Sequence, residues 1–401
     1  MPRDSIFFLH QEALLRQRRG ERIIDGTVGV LLDDAGRLVM LPTVAAALSE
    51  LSRSDWAPYA PVAGESEFLN AVKRQVYPPD LQAYATAVAT PGATGAIGLG
   101  IAMGLEPGEM LLTRAPHFTV YDDLARSQSR GLATFPALDA GGRFDVAALA
   151  RRLDAIAARQ SRLLILLNDP CQNPSGYTMS PPEWAAVTDV IGAAASRRPT
   201  TLLIDASYAD FAPPAWRPPY GALARLAESA DVFTAWSASK SFTAYGLRVG
   251  ALLALCPNGG RRRALAAAMT QGCGGFWGNV NRGGMMVVGR ILADPALARQ
   301  TAGERRVSIA LLEARARSFR RAAERRGLLF HCHQGGFFST VPVRSAARVA
   351  AAMRDRGGFV VPQSPVLRFA LCALPAQKIP ALVGMAADCL GERDAPARRA
   401  S

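Results

Sequence analysis

At 401 residues the chain is long enough for two to three domains and a large buried core. Its 49% hydrophobic and 20% charged residues, with 36 Gly, 27 Pro and six Cys, exclude a disordered tail, a coiled coil and a disulfide-stapled miniprotein. The formal charge of +13 invites a nucleic-acid reading, but the arginines are scattered and no zinc-finger, helix-turn-helix or RNP pattern stands beside them, so no nucleic-acid partner is expected.

Taken in order, the N-terminus carries Asp4 and no apolar stretch of signal-peptide length, and the six cysteines form no CxxC pair. A reduced, cytoplasmic setting is expected. A long uncharged segment, 84–105, contains Pro91 and five glycines. It reads as strand, turn and helix rather than a membrane span. Further strands are expected at 109–113, 162–167, 200–204, 231–236 and 249–255, with helices at 94–104, 145–158 and 181–197. Apolar runs alternating with helices call for a mostly parallel sheet covered on both faces.

Beyond about residue 290 the pattern changes. A long Arg/Ala-rich helix at 295–327 precedes strands at 337–343, 359–361 and 367–372 and helices at 345–355 and 376–391. The expected organisation is an N-terminal segment, 1–45, joining a small α+β domain at 291–401, with a large α/β domain at 46–290.

Four motifs fall at the C-terminal ends of predicted strands, where open α/β sheets place ligands. Thr90-Pro91-Gly92-Ala93-Thr94-Gly95 links a strand to a helix, and small residues there let backbone N–H groups approach a phosphate. Asn168-Asp169-Pro170-Cys171-Gln172-Asn173-Pro174-Ser175-Gly176 follows a second strand. Asp205-Ala206-Ser207-Tyr208 ends a third, and a carboxylate there needs a cationic or hydrogen-bonding partner. Ser237-Ala238-Ser239-Lys240 ends a fourth, with Arg248 eight residues on. The chain has only three lysines, and the other two, Lys73 and Lys378, sit on amphipathic helical stretches and read as surface residues.

The order of these motifs resembles the class I/II aminotransferases, fold-type I pyridoxal-phosphate enzymes, over nearly the whole chain. The stretches Gly26 to Gly36 and Tyr59 to Gly64 are similar to the aspartate/aromatic branch. The resemblance implies pyridoxal 5'-phosphate bound as a Schiff base to Lys240, which also carries the proton at the substrate Cα. Asp205 would pair with the pyridine nitrogen, Asn173 and Tyr208 would donate to the phenolic oxygen, and Phe118 would stack on the ring. Ala93, Thr94, Ser237 and Arg248 would form the phosphate cup. Tyr59 would reach the phosphate of a neighbouring subunit, implying a homodimer with shared sites. Arg368 would clamp the α-carboxylate of an amino acid, with Gly29 and Asn173 beside it, and a 2-oxo acid would accept the amino group.

In the aspartate enzymes an arginine of the partner subunit reads the distal carboxylate; its position aligns with Gly274 here, and Arg282 follows eight residues out of register. A dicarboxylate-specific enzyme is therefore not expected. The same residue set also serves β- or γ-elimination, replacement and carbon–carbon bond formation, which stand as the alternative to transamination. Ser237 to Lys240 also satisfies the S-x-x-K pattern of serine acyl enzymes, but no lysine is followed by Thr-Gly. His331-Cys332-His333 reads as strand surface, so no metal is expected, and His10 and His117 have no evident partner.

Overall fold

The computed structural model describes residues 5–213, 215–216, 218–331 and 333–390. Twelve strands occur among them. In chain order they are β1 (Ile24–Asp25), β2 (Ala85–Pro91), β3 (Met110–Ala115), β4 (Gly131–Pro136), β5 (Leu163–Asn168), β6 (Thr200–Asp205), β7 (Asp231–Ser237), β8 (Val249–Leu255), β9 (Phe338–Pro342), β10 (Gly358–Phe359), β11 (Val361–Gln363) and β12 (Val366–Ala370).

A seven-stranded sheet of order β2-β8-β7-β6-β5-β3-β4 organises the middle of the chain. Only β8 runs against its neighbours, so this is the mostly parallel α/β architecture the sequence implies. Every residue of β5, β6 and β8 is buried, because helices cover both faces and no alternation is needed. On one face the helix Gly92–Gly104 lies so close that a methyl group on Gly104 would stand 2.5 Å from a Leu164 carbon. Gly100 and Gly104 inside that helix let it lie directly on Leu203 and Leu164 of the sheet.

The edge strand β4 escaped the sequence reading. Its residues alternate between buried and partly exposed, and Gly131 and Pro136 bracket a run with little apolar signal. Edge position explains the weak pattern.

The C-terminal part builds a three-stranded antiparallel sheet of order β11-β12-β9 against the 31-residue helix Pro295–Arg325 and the helices Ala346–Asp355 and Ile379–Cys389. Phe319, Val349, Met353, Leu367, Phe369 and Leu382 belong to its core. The expected strand at 359–361 is two strands, β10 and β11, separated at Val360. β10 pairs in parallel with β1, which ties the N-terminal segment to this part of the molecule. Residues 391–401, the end of the expected helix and small domain, lie outside the described residues. Among the described residues no helix is long and apolar enough to cross a membrane.

His331 and His333 are not in a strand, which corrects the expectation for that tract, and Cys332 lies outside the described residues. The His331 Nδ1 sits 2.6 Å from the Thr340 hydroxyl, while burial pushes the His333 imidazole down to about 4. No group of three metal-ligating side chains is found among the described residues.

Candidate active site

Side chains at the ends of β2, β5, β6 and β7 converge on one cavity of about 450 Å³, closed on its other side by Val28 to Val30, Phe338 and Arg368. The site lies across the C-terminal ends of the adjacent parallel strands β5, β6 and β7, with Phe118 and Val120 reaching it from the segment after β3.

Asp205 ends β6, almost fully buried. Burial pushes its carboxyl above the usual range, opposed by hydrogen bonds that favour the charged form. Ser207 donates through Oγ at 2.5 Å and through its backbone N–H at 3.1 Å, and the Tyr121 hydroxyl donates at 2.5 Å. The next strand end is locked to it. Asn168 donates to the Asp205 carbonyl at 2.8 Å and accepts from the Asn173 N–H at 2.7 Å, which fixes the start of the 168–176 loop. Beneath the loop lies a buried pair, Asp169 and Arg114. Arg114 donates to the Asn168 carbonyl, and Asp169 accepts from Trp184 Nε1 and Met179 N, each at 2.9 Å. Burial pushes Asp169 up to about 6.

Lys240 follows β7 in the short helix Ala238–Ser241. Its amine donates to the Gly29 carbonyl and lies 4.7 Å from the centre of the Tyr245 ring. Burial lowers its pKa to about 8, so the neutral amine needed by a nucleophile or base is accessible near neutral pH. A side chain at Gly29 would meet the Phe338 ring at 3.0 Å, so glycine keeps this approach open.

The opposite end is cationic and rich in hydroxyls. Arg248 adopts a left-handed conformation with φ of 52° and donates to Ser239 Oγ at 3.1 Å and the Tyr245 carbonyl at 3.0 Å. A methyl group on Gly92, itself at φ of +73°, would stand 2.4 Å from the Arg248 guanidinium. Ala93 and Thr94 begin the helix Gly92–Gly104, whose N-terminal N–H groups complement an anion.

Arg368, on β12, is 1% exposed and lies 4.5 Å above the Phe338 ring centre. It donates to the Thr27 carbonyl and to Asn173 Oδ1 at 3.4 Å, yet its Nε has no partner. Burial lowers its pKa to about 10. A buried guanidinium with an unspent donor calls for an anionic ligand.

All the predicted site residues but one line this cavity: Gly29, Ala93, Thr94, Phe118, Asn173, Asp205, Tyr208, Ser237, Lys240, Arg248 and Arg368. Tyr59 does not, and it is 92% exposed. Gly274 is exposed on the helix Gly259–Phe276, and Arg282 is tied to Glu65 at 2.6 Å away from the cavity wall. Sequence reasoning missed Tyr121 and Phe338 and gave no role of their own to Ser207, Ser239 and Tyr245. The first is an ordinary buried aromatic in the sequence, and its contact with Asp205 spans 84 positions. His10 and His117 do have partners, Asp25 at 2.6 Å and Asp122 at 2.8 Å, which corrects the earlier expectation.

A large parallel-sheet unit with a lysine, a carboxylate and two arginines around one cavity is the architecture of fold-type I aminotransferases, and solved structures bear this out. An aminotransferase from Anaerococcus prevotii superposes with a TM-score of 0.87 over 96% of each chain at 27% identity. An aromatic-amino-acid aminotransferase from Burkholderia pseudomallei, covalently bound to pyridoxal phosphate, shares the fold with a TM-score of 0.79 over 98% of each chain at 22% identity. The family model for aminotransferase class I and II matches residues 21–385, and the chain belongs to that family. It is an enzyme of the transferase class with pyridoxal 5'-phosphate as cofactor. Among curated relatives, the aromatic-amino-acid aminotransferase of Pseudomonas aeruginosa is 30% identical over 54% of this chain, and the match spans about half, 53%, of that enzyme. The Paracoccus denitrificans enzyme of the same name is 28% identical over 66% of each.

The residues present fit the cofactor. Thr94, Ser237, Ser239 and Arg248 suit a phosphate, the buried Asp205 suits a cationic ring nitrogen, and the Lys240 amine suits an aldehyde.

Proposed function

We propose that the chain transfers the amino group of an α-amino acid with a bulky, largely apolar side chain to a 2-oxo acid, working as a cytoplasmic homodimer. The observation that carries this reading is the convergence of the Lys240 amine, the buried Asp205 carboxylate and the partly unpaired Arg368 guanidinium on one cavity.

Bound pyridoxal phosphate supplies an electron-withdrawing ring that stabilises negative charge at the substrate Cα. Arg248, Thr94, Ala93 and Ser237 would hold the phosphate, and Phe118 would lie against the ring. Asp205, oriented by Ser207 and Tyr121, would keep the proton on the ring nitrogen, and Asn173 and Tyr208 would donate to the phenolic oxygen. Lys240 would anchor the cofactor and move the proton at Cα, and the Gly29 carbonyl that accepts from it holds its amine at the site. Arg368 and Asn173 fix the α-carboxylate, which supplies the missing partner of the guanidinium.

The side-chain preference rests on the wall of the cavity. Among the described residues of one chain, the arginines that line it are Arg248 and Arg368, which this reading gives to the phosphate and the α-carboxylate, and glycine stands at 274, where the aspartate enzymes carry the arginine that reads a distal carboxylate from the partner subunit. The names of the Pseudomonas and Paracoccus relatives agree with an aromatic substrate. Tyr59, nearly fully exposed in the single chain, is free to reach a neighbouring subunit.

Incubating the holoenzyme with aromatic, aliphatic and acidic amino acids plus 2-oxoglutarate tests the reading. Formation of the matching 2-oxo acid, fastest from aromatic donors, is the expected result. A product that retains its amino group, or aspartate outpacing all other donors, overturns it.

A further inference from the structure

His10 is an imidazole on the wall of the active-site cavity to which the reaction gives no work. It lies on the helix Ile6–Arg18, from which Ile6 and Phe7 also face the cavity. The ring is not an incidental surface group. Its Nδ1 is held 2.6 Å from Asp25 Oδ2, and its side chain is 32% exposed. The other oxygen of Asp25 accepts from the Thr27 N–H at 2.9 Å and the Thr27 hydroxyl at 2.6 Å. Thr27 in turn gives its carbonyl to Arg368. The imidazole is thus fixed by the segment that braces the proposed carboxylate clamp.

Two consequences follow from this arrangement. With Nδ1 committed to Asp25, Nε2 is the ring atom left to meet a ligand. The N-terminal segment that carries His10 lines the cavity otherwise with Ile6, Phe7, Val28, Gly29 and Val30, so a side chain that meets this wall finds apolar surface and one polar point. A hydroxyl suits that point in either protonation state of the imidazole, because it donates to a neutral Nε2 and accepts from a protonated one.

We propose that His10, braced by Asp25, is a specificity-determining residue that hydrogen-bonds through Nε2 to the hydroxyl at the tip of an aromatic substrate side chain. This deepens the reading of the site as one for a bulky α-amino acid and rests on Arg368 holding the carboxylate end.

The test uses holoenzyme and two unreactive carboxylates, 3-(4-hydroxyphenyl)propionate and 3-phenylpropionate, with binding followed by calorimetry. The wild-type protein should bind the hydroxylated compound about tenfold more tightly, the scale of one part-exposed hydrogen bond. His10→Phe should bring the ratio near one while leaving phenylpropionate affinity within about threefold. His10→Gln, which keeps a polar group there, should retain part of the preference. The kcat/KM ratio of tyrosine to phenylalanine should move in parallel. Equal affinities in the wild type, an unchanged ratio in His10→Phe, or an equal loss for both compounds overturns the proposal. Discrimination in binding without 2-oxo acid formation supports His10 and counts against transamination alone.

Discussion

The two ends of the cavity are built in different ways. The cofactor end is made of strand ends and the turns that follow them, where Ser207 braces Asp205 and Ser239 meets Arg248 close by in the chain, with Tyr121 and Gly29 added from 84 and 211 positions away. The substrate end is assembled across the chain. Arg368 meets Thr27 across 341 positions and Asn173 across 195, and it keeps an unpaired nitrogen. The first end is a pre-organised, satisfied frame, whereas the second is completed by its ligand.

Mutations should separate the two ends by kinetic signature. The largest effect is expected from Asp205→Ala, which removes the proposed partner of the ring nitrogen and should lower kcat by about a thousandfold or more in single-turnover measurements, with KM little changed. Near-normal turnover would break the assignment of the cofactor end. Arg368→Ala should act mainly on KM, weakening α-amino acids by about 2 to 5 kcal/mol because a buried charge partner is lost. A fall confined to kcat would contradict the view that this end only holds substrate.

Tyr59 sharpens the comparison by asking whether the cofactor end is complete within one chain. Mixing Tyr59→Phe with Lys240→Ala and refolding together should recover up to about a quarter of wild-type activity, since one hybrid site keeps both native residues. Full activity from a protein that stays monomeric at micromolar concentration would contradict shared sites.

The smallest effect concerns stability. His333 is buried with its Nε2 unpaired and its folded pKa lowered to about 4 from 6.5, so the unfolded chain binds more protons between those values. Stability should therefore fall as pH drops from about 6.5 toward 4, and His333→Gln should flatten that slope in denaturant titrations. An unchanged slope would show that His333 takes no part in the acid sensitivity.

The contrast between the ends also explains what could be read before the fold was known. Lys240, Asp205 and Asn173 stand out because each ends or follows an apolar run and is flanked by small or turn-forming residues within a few positions. Arg368 was recognisable only through the family resemblance, because nothing local distinguishes an arginine inside β12. Tyr121, Phe338 and the His10–Asp25 pair carried no such signal at all. Their roles come from tertiary approach, as does the edge strand β4, whose half-exposed pattern is too weak to count as a strand. The histidines at 331 and 333 misled for the opposite reason, since alternation looked like a strand where the chain runs without regular structure.

The central claim is that the sheet delivers Lys240, and no other lysine, to the cofactor. Borohydride reduction of the holoenzyme followed by peptide mapping tests it directly. The account predicts a pyridoxyl mass on the peptide containing Lys240 and none on Lys73 or Lys378. A label on either of those two, or no covalent label in a protein that still binds the cofactor, would contradict it.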